Sequence, residues 1–234
     1  MEDKAIIENG TNESESIERL KSLLTEDIIE LSAQRIHEFS KLMAYYRCAM
    51  MEIETKLNVL NEEFSLRYDR NPINSTKTRL KRMTSIKDKL DRRSLPFDLN
   101  SIEENLNDVA GVRVVCSFLE DVYMIADALL KQDDITLIRK KDYIKEPKEN
   151  GYRSLHLIVT VPIFLAHEKR LMKVEIQLRT IAMDFWASLE HQLHYKKDIE
   201  FTNEMARELK YCAELSAQLD DRMDSLRQRS LIDK

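Results

Sequence analysis

The sequence predicts an α+β protein: a small mixed β-sheet with flanking helices, extended by long helices at both ends. Three observations carry that prediction. Residues 172–179 alternate strictly, with Met172, Val174, Ile176 and Leu178 on one side and Lys173, Glu175, Gln177 and Arg179 on the other; this is the period-two pattern of a strand with one apolar and one polar face. Two further apolar runs, VRVVCSF at 112–118 and LHLIVTV at 155–161, have the length and β-branched content of buried strands. Apolar residues recur at heptad spacing towards both termini, and only three glycines and four prolines interrupt 234 residues, so helix dominates.

Taken in order, residues 1–15 are polar, carry Gly10 and read as a loose tail. A helical arm is expected over 16–70. Ile29, Ile36, Met43, Met50, Leu57 and Phe64 recur every seven residues, with Phe39, Tyr46, Ile53 and Leu60 interleaved, and no glycine or proline falls between Ile17 and Asn71. Asn71-Pro72 ends it. A core is expected over 71–200. It opens on TKTRLKRMTSIKDKLDRR at 76–93, eight basic residues against two acidic ones in a chain of net charge −5. Thr84 or Ser85 is placed to cap a helix reaching about Arg93. Ser101 and Glu104 make a capping box for a short helix that Gly111 would end. A strand over 112–118, a helix over 121–131 and a short strand over 135–139 follow. Residues 139–154 form a polar loop, and the strand at 155–161 is limited by Pro162. After the alternating strand, a helix starts at Ile181 with Thr180 positioned to accept from its first amides. The C-terminal stretch 201–234 carries a helix over about 202–228. Its seam of Met205, Leu209, Cys212, Ser216, Leu219, Met223 and Leu226 at four-three spacing suits a bundle or subunit contact.

Composition excludes several classes. An acidic net charge argues against general nucleic-acid binding, so no DNA partner is expected. Cys48, Cys116 and Cys212 are too scattered for a disulfide framework or metal knuckle and read as reduced thiols. No apolar run has membrane-spanning length, and the N-terminus lacks the order of a signal peptide, so a cytoplasmic protein is expected.

Three constellations carry possible chemistry. Asp108 precedes one buried strand and Glu175 sits on the polar face of another. If those strands are neighbours, the pair can share Mg²⁺, and one acid can accept a hydroxyl proton; alone, two such acids read as surface carboxylates. In the basic segment Arg79, Lys81, Lys89 and Arg92 suit a triphosphate, Ser85 adds a hydroxyl, and Arg79 with Arg113 can clamp a base. The alternative is a solvated basic helix face. Around the Gly151 turn, Tyr152 can stack on a second base with Lys148 and His156 on its phosphates, against the alternative of a turn tyrosine and a sheet histidine. Asp184, one turn into the following helix, can accept the N1 and N2 protons of guanine. His191 and His194 lack a third metal ligand, and no adjacent His-Asp pair occurs, so a metal-dependent hydrolase of that signature is not expected.

Together the segments RLKRMTSIKDKL, NDVAGVRVV, KDYI, KENGYRSLH and VEIQLRTIAMDFWASLEH, with the following YK, resemble the small alarmone synthetases. These are GTP pyrophosphokinases related to the synthetase domain of the long Rel/Spo proteins. The resemblance covers roughly residues 30–228, and Asn-Pro-Ile at 71–73, Cys-Ser-Phe at 116–118 and MDFWASLEH look most like the RelP-type branch. It implies a nucleotidyltransferase-like synthetase core moving the β,γ-pyrophosphate of ATP to the 3′-hydroxyl of GDP or GTP, with AMP released and no hydrolase activity. By the same resemblance Arg79 and Arg113 match the adenine clamp, and Lys81, Ser85, Lys89 and Arg92 the ATP-phosphate binders. Asp108 matches the Mg²⁺ ligand, and Glu175 the carboxylate that helps hold the metal and activates the acceptor hydroxyl. Tyr152 matches the guanine-stacking residue, and Lys141, Lys148 and His156 the acceptor-phosphate contacts; Gln177, Arg179 and Asp184 fall on the acceptor side. A homotetramer built through the terminal helices is implied. Thr78, where other branches have glycine, and Asp184, where some relatives have asparagine, depart from the pattern. The rival readings are a nucleotidyltransferase and an idle nucleotide- or RNA-binding regulator.

Overall fold

The computed structural model of the chain describes residues 5–195 and 201–232. Helix α1 (Ala5–Tyr68) leads into strand β1 (Ile73–Leu80), then α2 (Met83–Asp91), α3 (Leu99–Asn105), β2 (Ala110–Cys116), α4 (Leu119–Leu130) and β3 (Thr136–Asp142). Strands β4 (Leu155–Phe164) and β5 (Lys169–Thr180) follow, then helices α5 (Ile181–Tyr195) and α6 (Asn203–Ile232). The chain divides into two units, Met1–Ala44 and Tyr45–Lys234. The described part of the first is wholly helical.

Within the second unit one five-stranded sheet has the order β1-β2-β5-β4-β3. Strands β2 and β5 run parallel and the other neighbours antiparallel. The sheet is therefore mixed, and the predicted α+β class holds. Strand β5 is central, and the apolar face of its two-faced pattern is internal: Met172, Val174, Ile176 and Leu178 are all buried, with the core helix α4 adding Val122, Ile125, Ala126 and Leu129. Of the α1 heptads, Met43, Met50, Leu57 and Phe64 are buried while Ile36 is exposed; the side chain of Ile29 lies outside the described residues.

The register writes the site onto the sheet. Lys77 pairs with Arg113, Arg113 with Gln177, Gln177 with His156 and His156 with Lys141, one row crossing all five strands. One step along, Arg79 pairs with Gly111, and Gly111 with Glu175. Cross-strand neighbours share a face, so cations, a histidine and an acid from distant segments meet on the polar side.

Several local expectations are corrected. Residues 5–15, where a loose tail is expected, lie within helix α1. Strand β1 was not expected from INSTKTRL, whose polar residues fall on both faces; as an edge strand it needs only one partner, β2. Helix α2 starts at Met83 after Arg82, so neither Thr84 nor Ser85 is its cap. Helix α3 is capped by Asp98, whose Oδ1 accepts from the Ser101 amide at 2.7 Å, and it ends at Asn105; Gly111 lies inside β2. Pro162 does not limit β4: β3 pairs only as far as Thr160, so the missing N–H of Pro162 faces no partner strand. Thr180 does cap α5, its Oγ1 accepting from the Met183 amide at 3.1 Å. No residue of the α6 seam is fully buried: Met205, Leu209 and Ser216 are half-buried, and Cys212, Leu219, Met223 and Leu226 are exposed. The helix buries Ala213 and Ala217 instead, a face rotated away from the predicted seam.

Candidate active site

Two hollows open on the polar face of the sheet and share a wall. The larger, about 460 Å³, is lined by Lys77, Arg79, Lys81 and Arg113 with Asp108, Glu175 and Gln177. The smaller, about 260 Å³, is lined by Lys89, Arg93, Arg139, Lys141, Lys148 and His156, again with Asp108 and Glu175. The two acids, far apart in sequence, thus stand between two cation-lined spaces. The parallel pairing of β2 with β5 is what brings them there.

Asp108 is held by two lysines, Lys81 just after β1 and Lys89 in the last turn of α2. Lys81 Nζ and Lys89 Nζ each lie 2.7 Å from its Oδ2. Its Oδ1 is buried with no hydrogen-bond partner. Burial pushes the carboxyl up, but the two ammoniums outweigh it and hold it below the ordinary carboxylate range. Glu175 Oε2 accepts from Gln177 Nε2 at 2.9 Å, and Oε1 lies 3.7 Å from His156 Nδ1. Burial likewise pushes Glu175 up, His156 and Gln177 bring it below its usual value, and the negative charge of Asp108 opposes them. Both groups are therefore carboxylates at neutral pH and feel one another. Among the described residues no three His, Cys, Asp or Glu side chains converge as a self-sufficient metal cage. Two carboxylates with one open buried oxygen instead fit Mg²⁺, which nucleotide sites complete with phosphate oxygens.

The tyrosine of the Gly151 turn sits half-buried in a web of contacts. Arg179 Nη2 donates to the Tyr152 hydroxyl at 2.6 Å, and that hydroxyl lies 2.9 Å from His156 Nε2. Lys148 Nζ is 4.7 Å and Arg179 Cζ 5.1 Å from the Tyr152 ring centre. Gly151 is required here: its φ is +88°, and a Cβ would stand 2.5 Å from Ala213 Cβ.

Most of the predicted residues meet on this face. Ser85, Arg92, Tyr152, Arg179 and Asp184 line neither hollow; Arg92 is the C-cap of α2, and Ser85 lies one turn before Lys89 on the same helix side. Asp184, expected to meet a base, holds two guanidiniums through Oδ1: Arg179 Nη1 at 3.2 Å and Arg113 Nη1 at 3.3 Å. Burial and the nearby Arg179 lower the pKa of Arg113, with Asp184 opposing. Sequence reasoning assigned no role to Lys77, Arg93, Arg139 or Tyr143. Their signal was faint, since Lys77 and Arg93 were two among eight basic residues and Tyr143 one residue of KDYI.

Residues 78–200 match the family model described as the region found in RelA / SpoT proteins. The chain belongs to the RelA/SpoT family. Among curated RelA/SpoT relatives, it is 40% identical over 188 residues to the GTP pyrophosphokinase YwaC of Bacillus subtilis strain 168, covering 80% of this chain and 90% of that one. It is 35% identical to the GTP pyrophosphokinase YjbM of the same strain, covering 81% and 89%. Among solved structures, small alarmone synthetase 2 from Bacillus subtilis superposes with a TM-score of 0.75 at 38% identity, covering 82% of this chain and 99% of that one. Small alarmone synthetase 1 from the same organism, bound to its product pppGpp, also gives 0.75, at 34% identity, covering 82% and 97%. The fold of this family member is that of the small alarmone synthetases.

Proposed function

We propose that this RelA/SpoT protein is a GTP pyrophosphokinase, transferring the β,γ-pyrophosphate of ATP to the 3′-hydroxyl of GDP or GTP to give AMP and ppGpp or pppGpp. The observation that carries this is the shared wall: Asp108 and Glu175 separate two hollows, each rich in cations. A reaction joining two polyphosphate nucleotides needs that layout, one anionic ligand on either side of the reacting centre.

The larger hollow takes the donor. Arg79 and Arg113 flank the adenine, and the phosphates are assigned to Lys81 in that hollow, to Lys89 across Asp108 in the smaller one, and to Ser85 and Arg92 outside both. The smaller takes the acceptor phosphates on Lys141, Lys148 and His156. The guanine is assigned to Tyr152, with Arg179 and Asp184, which line neither hollow, and Gln177, which lines the larger one, shaping the base side. Bound Mg²⁺, held by Asp108 and Glu175, would neutralise charge on the transferred group. Glu175 takes the proton of the 3′-hydroxyl as its oxygen bonds to the β-phosphorus and the bond to the AMP oxygen breaks. Phosphoryl-type transfer needs little covalent help, so positioning and charge neutralisation supply most of the rate. His156 and Gln177 keep Glu175 ionised, ready to accept that proton.

Incubation with labelled ATP, Mg²⁺ and GMP, GDP or GTP in turn tests this reading. AMP with a 3′-pyrophosphorylated guanine nucleotide supports it. Inorganic pyrophosphate would mark a nucleotidyltransferase, and no turnover an idle regulator. Tyr152→Ala should raise the acceptor KM by the equivalent of about 1–3 kcal/mol, typical of base stacking, with ATP KM little changed; an unmoved acceptor KM would remove the stacking role. The protein is further inferred to be a cytoplasmic homotetramer of the RelP-type branch. Exposed apolar residues on the terminal helices, including Met51 and Val59 on α1 and Leu219 and Leu226 on α6, support the assembly; sedimentation velocity checks it. No described helix is long and apolar enough to cross a membrane.

A further inference from the structure

The C-terminal helix α6 lines neither hollow, yet it touches the three segments that carry the acceptor residues. Backbone of the Tyr152 turn lies directly on it, with a Cβ at Gly151 falling 2.5 Å from Ala213 Cβ and 3.6 Å from the Lys210 carbonyl oxygen. On α5, Trp186 and Ala187 form a buried cluster with Ala213, against which Tyr152 and Leu209 pack, and Trp186 Nε1 donates to the Leu209 carbonyl at 2.8 Å. At the β5–α5 junction, Thr180 Oγ1 donates to Asp220 Oδ2 at 2.6 Å while accepting from the Met183 amide at 3.1 Å.

That last contact fixes a rotor. A hydroxyl has one proton, and Asp220 takes it, which leaves a lone pair aimed at the amide that Thr180 caps. The residue before Thr180 is Arg179, which holds the Tyr152 hydroxyl; four residues after it is Asp184, which holds Arg179 and Arg113. A carboxylate on α6 therefore sets the junction from which both acceptor-side groups project. Asp220 is half-buried, and burial raises its carboxyl pKa, the Thr180 bond opposing; Arg153, beside Tyr152, and Asp221 and Asp224 of α6 are its charged neighbours.

We propose that Asp220 is a positioning residue for the guanine-nucleotide acceptor, acting through Thr180, with α6 as the wall on which the acceptor site is set. This rests on the acceptor assignment made above. It places a determinant of acceptor binding on the helix that also presents an exposed apolar seam.

The test is steady-state kinetics of the full chain with GDP and ATP varied separately. Asp220→Ala removes the acceptor of the Thr180 proton and should raise GDP KM about three- to ten-fold, the loss of one hydrogen bond. ATP KM should move less than GDP KM, since Asp184 also touches Arg113 of the donor side, and kcat at saturation should stay close to the parent value. Asp220→Asn still offers an oxygen to the hydroxyl and should restore GDP KM, which a purely electrostatic or unfolding effect would not allow. An unchanged GDP KM in Asp220→Ala, equal shifts for both nucleotides, or an Asp220→Asn variant as impaired as Asp220→Ala would each overturn the proposal. Tyr152→Ala, run alongside, separates the two layers. If it leaves GDP KM unmoved, the acceptor assignment falls and this proposal with it; if it acts while Asp220→Ala is inert, only the role of Asp220 falls.

Discussion

Glu175→Gln should lower AMP formation from ATP and GDP by roughly 10²–10⁴-fold, the range a positioned proton acceptor contributes. The substitution keeps shape and leaves an oxygen for Gln177 Nε2, which donates to Glu175 at 2.9 Å, so the sheet and both hollows should persist. What it removes is a negative charge at the wall between donor and acceptor. That charge is maintained by design of the surroundings: burial alone would favour the neutral acid, and His156 with Gln177 reverses the balance. Nucleotide binding measured by calorimetry should survive far better than turnover. Full turnover in Glu175→Gln would reject the assignment.

Asp108→Ala should abolish measurable AMP formation for a different reason. Asp108 Oδ2 takes both Lys81 and Lys89, and its buried Oδ1 is the open position on the wall. Removing it strips one of two candidate metal ligands and leaves two ammoniums facing each other without a counter-charge. The pair is partly open to water, with 22% of the Asp108 side chain exposed, so the folding cost should be modest, about 1–3 kcal/mol. Asp108→Asn keeps the side-chain volume and separates the effects: it should fold like the parent and still be inactive. Manganese titration by electron paramagnetic resonance, with a non-hydrolysable ATP analogue present, supplies a readout besides turnover. Both variants should lose tight manganese binding, and retention of it would show that the ion is held elsewhere.

These two acids also show how far residues alone could lead. Glu175 stood out because β5 alternates without a break, and a polar residue in mid-strand between Val174 and Ile176 must face away from the core. Asp108 had no such pattern around it; its place just before the strand at 112–118 and the motif NDVAGVRVV singled it out. The contact between their surroundings is a property of strand order, since β5 pairs with β2 rather than only with its hairpin partner β4, and order is not written in either segment.

The sequence by itself determined the fold class, the two-faced alternating strand, the helix that Thr180 caps, and the chemical types gathered for the reaction. Those depend on side-chain period and local hydrogen bonding, which act over a few residues. Only the tertiary structure decided that INSTKTRL is an edge strand, that Pro162 sits within β4, that Asp184 holds two arginines, and that α6 backs the acceptor side through Ala213 and Asp220. Each of these follows from which segments become neighbours, a choice made by burying apolar faces across the whole domain rather than by any stretch taken alone.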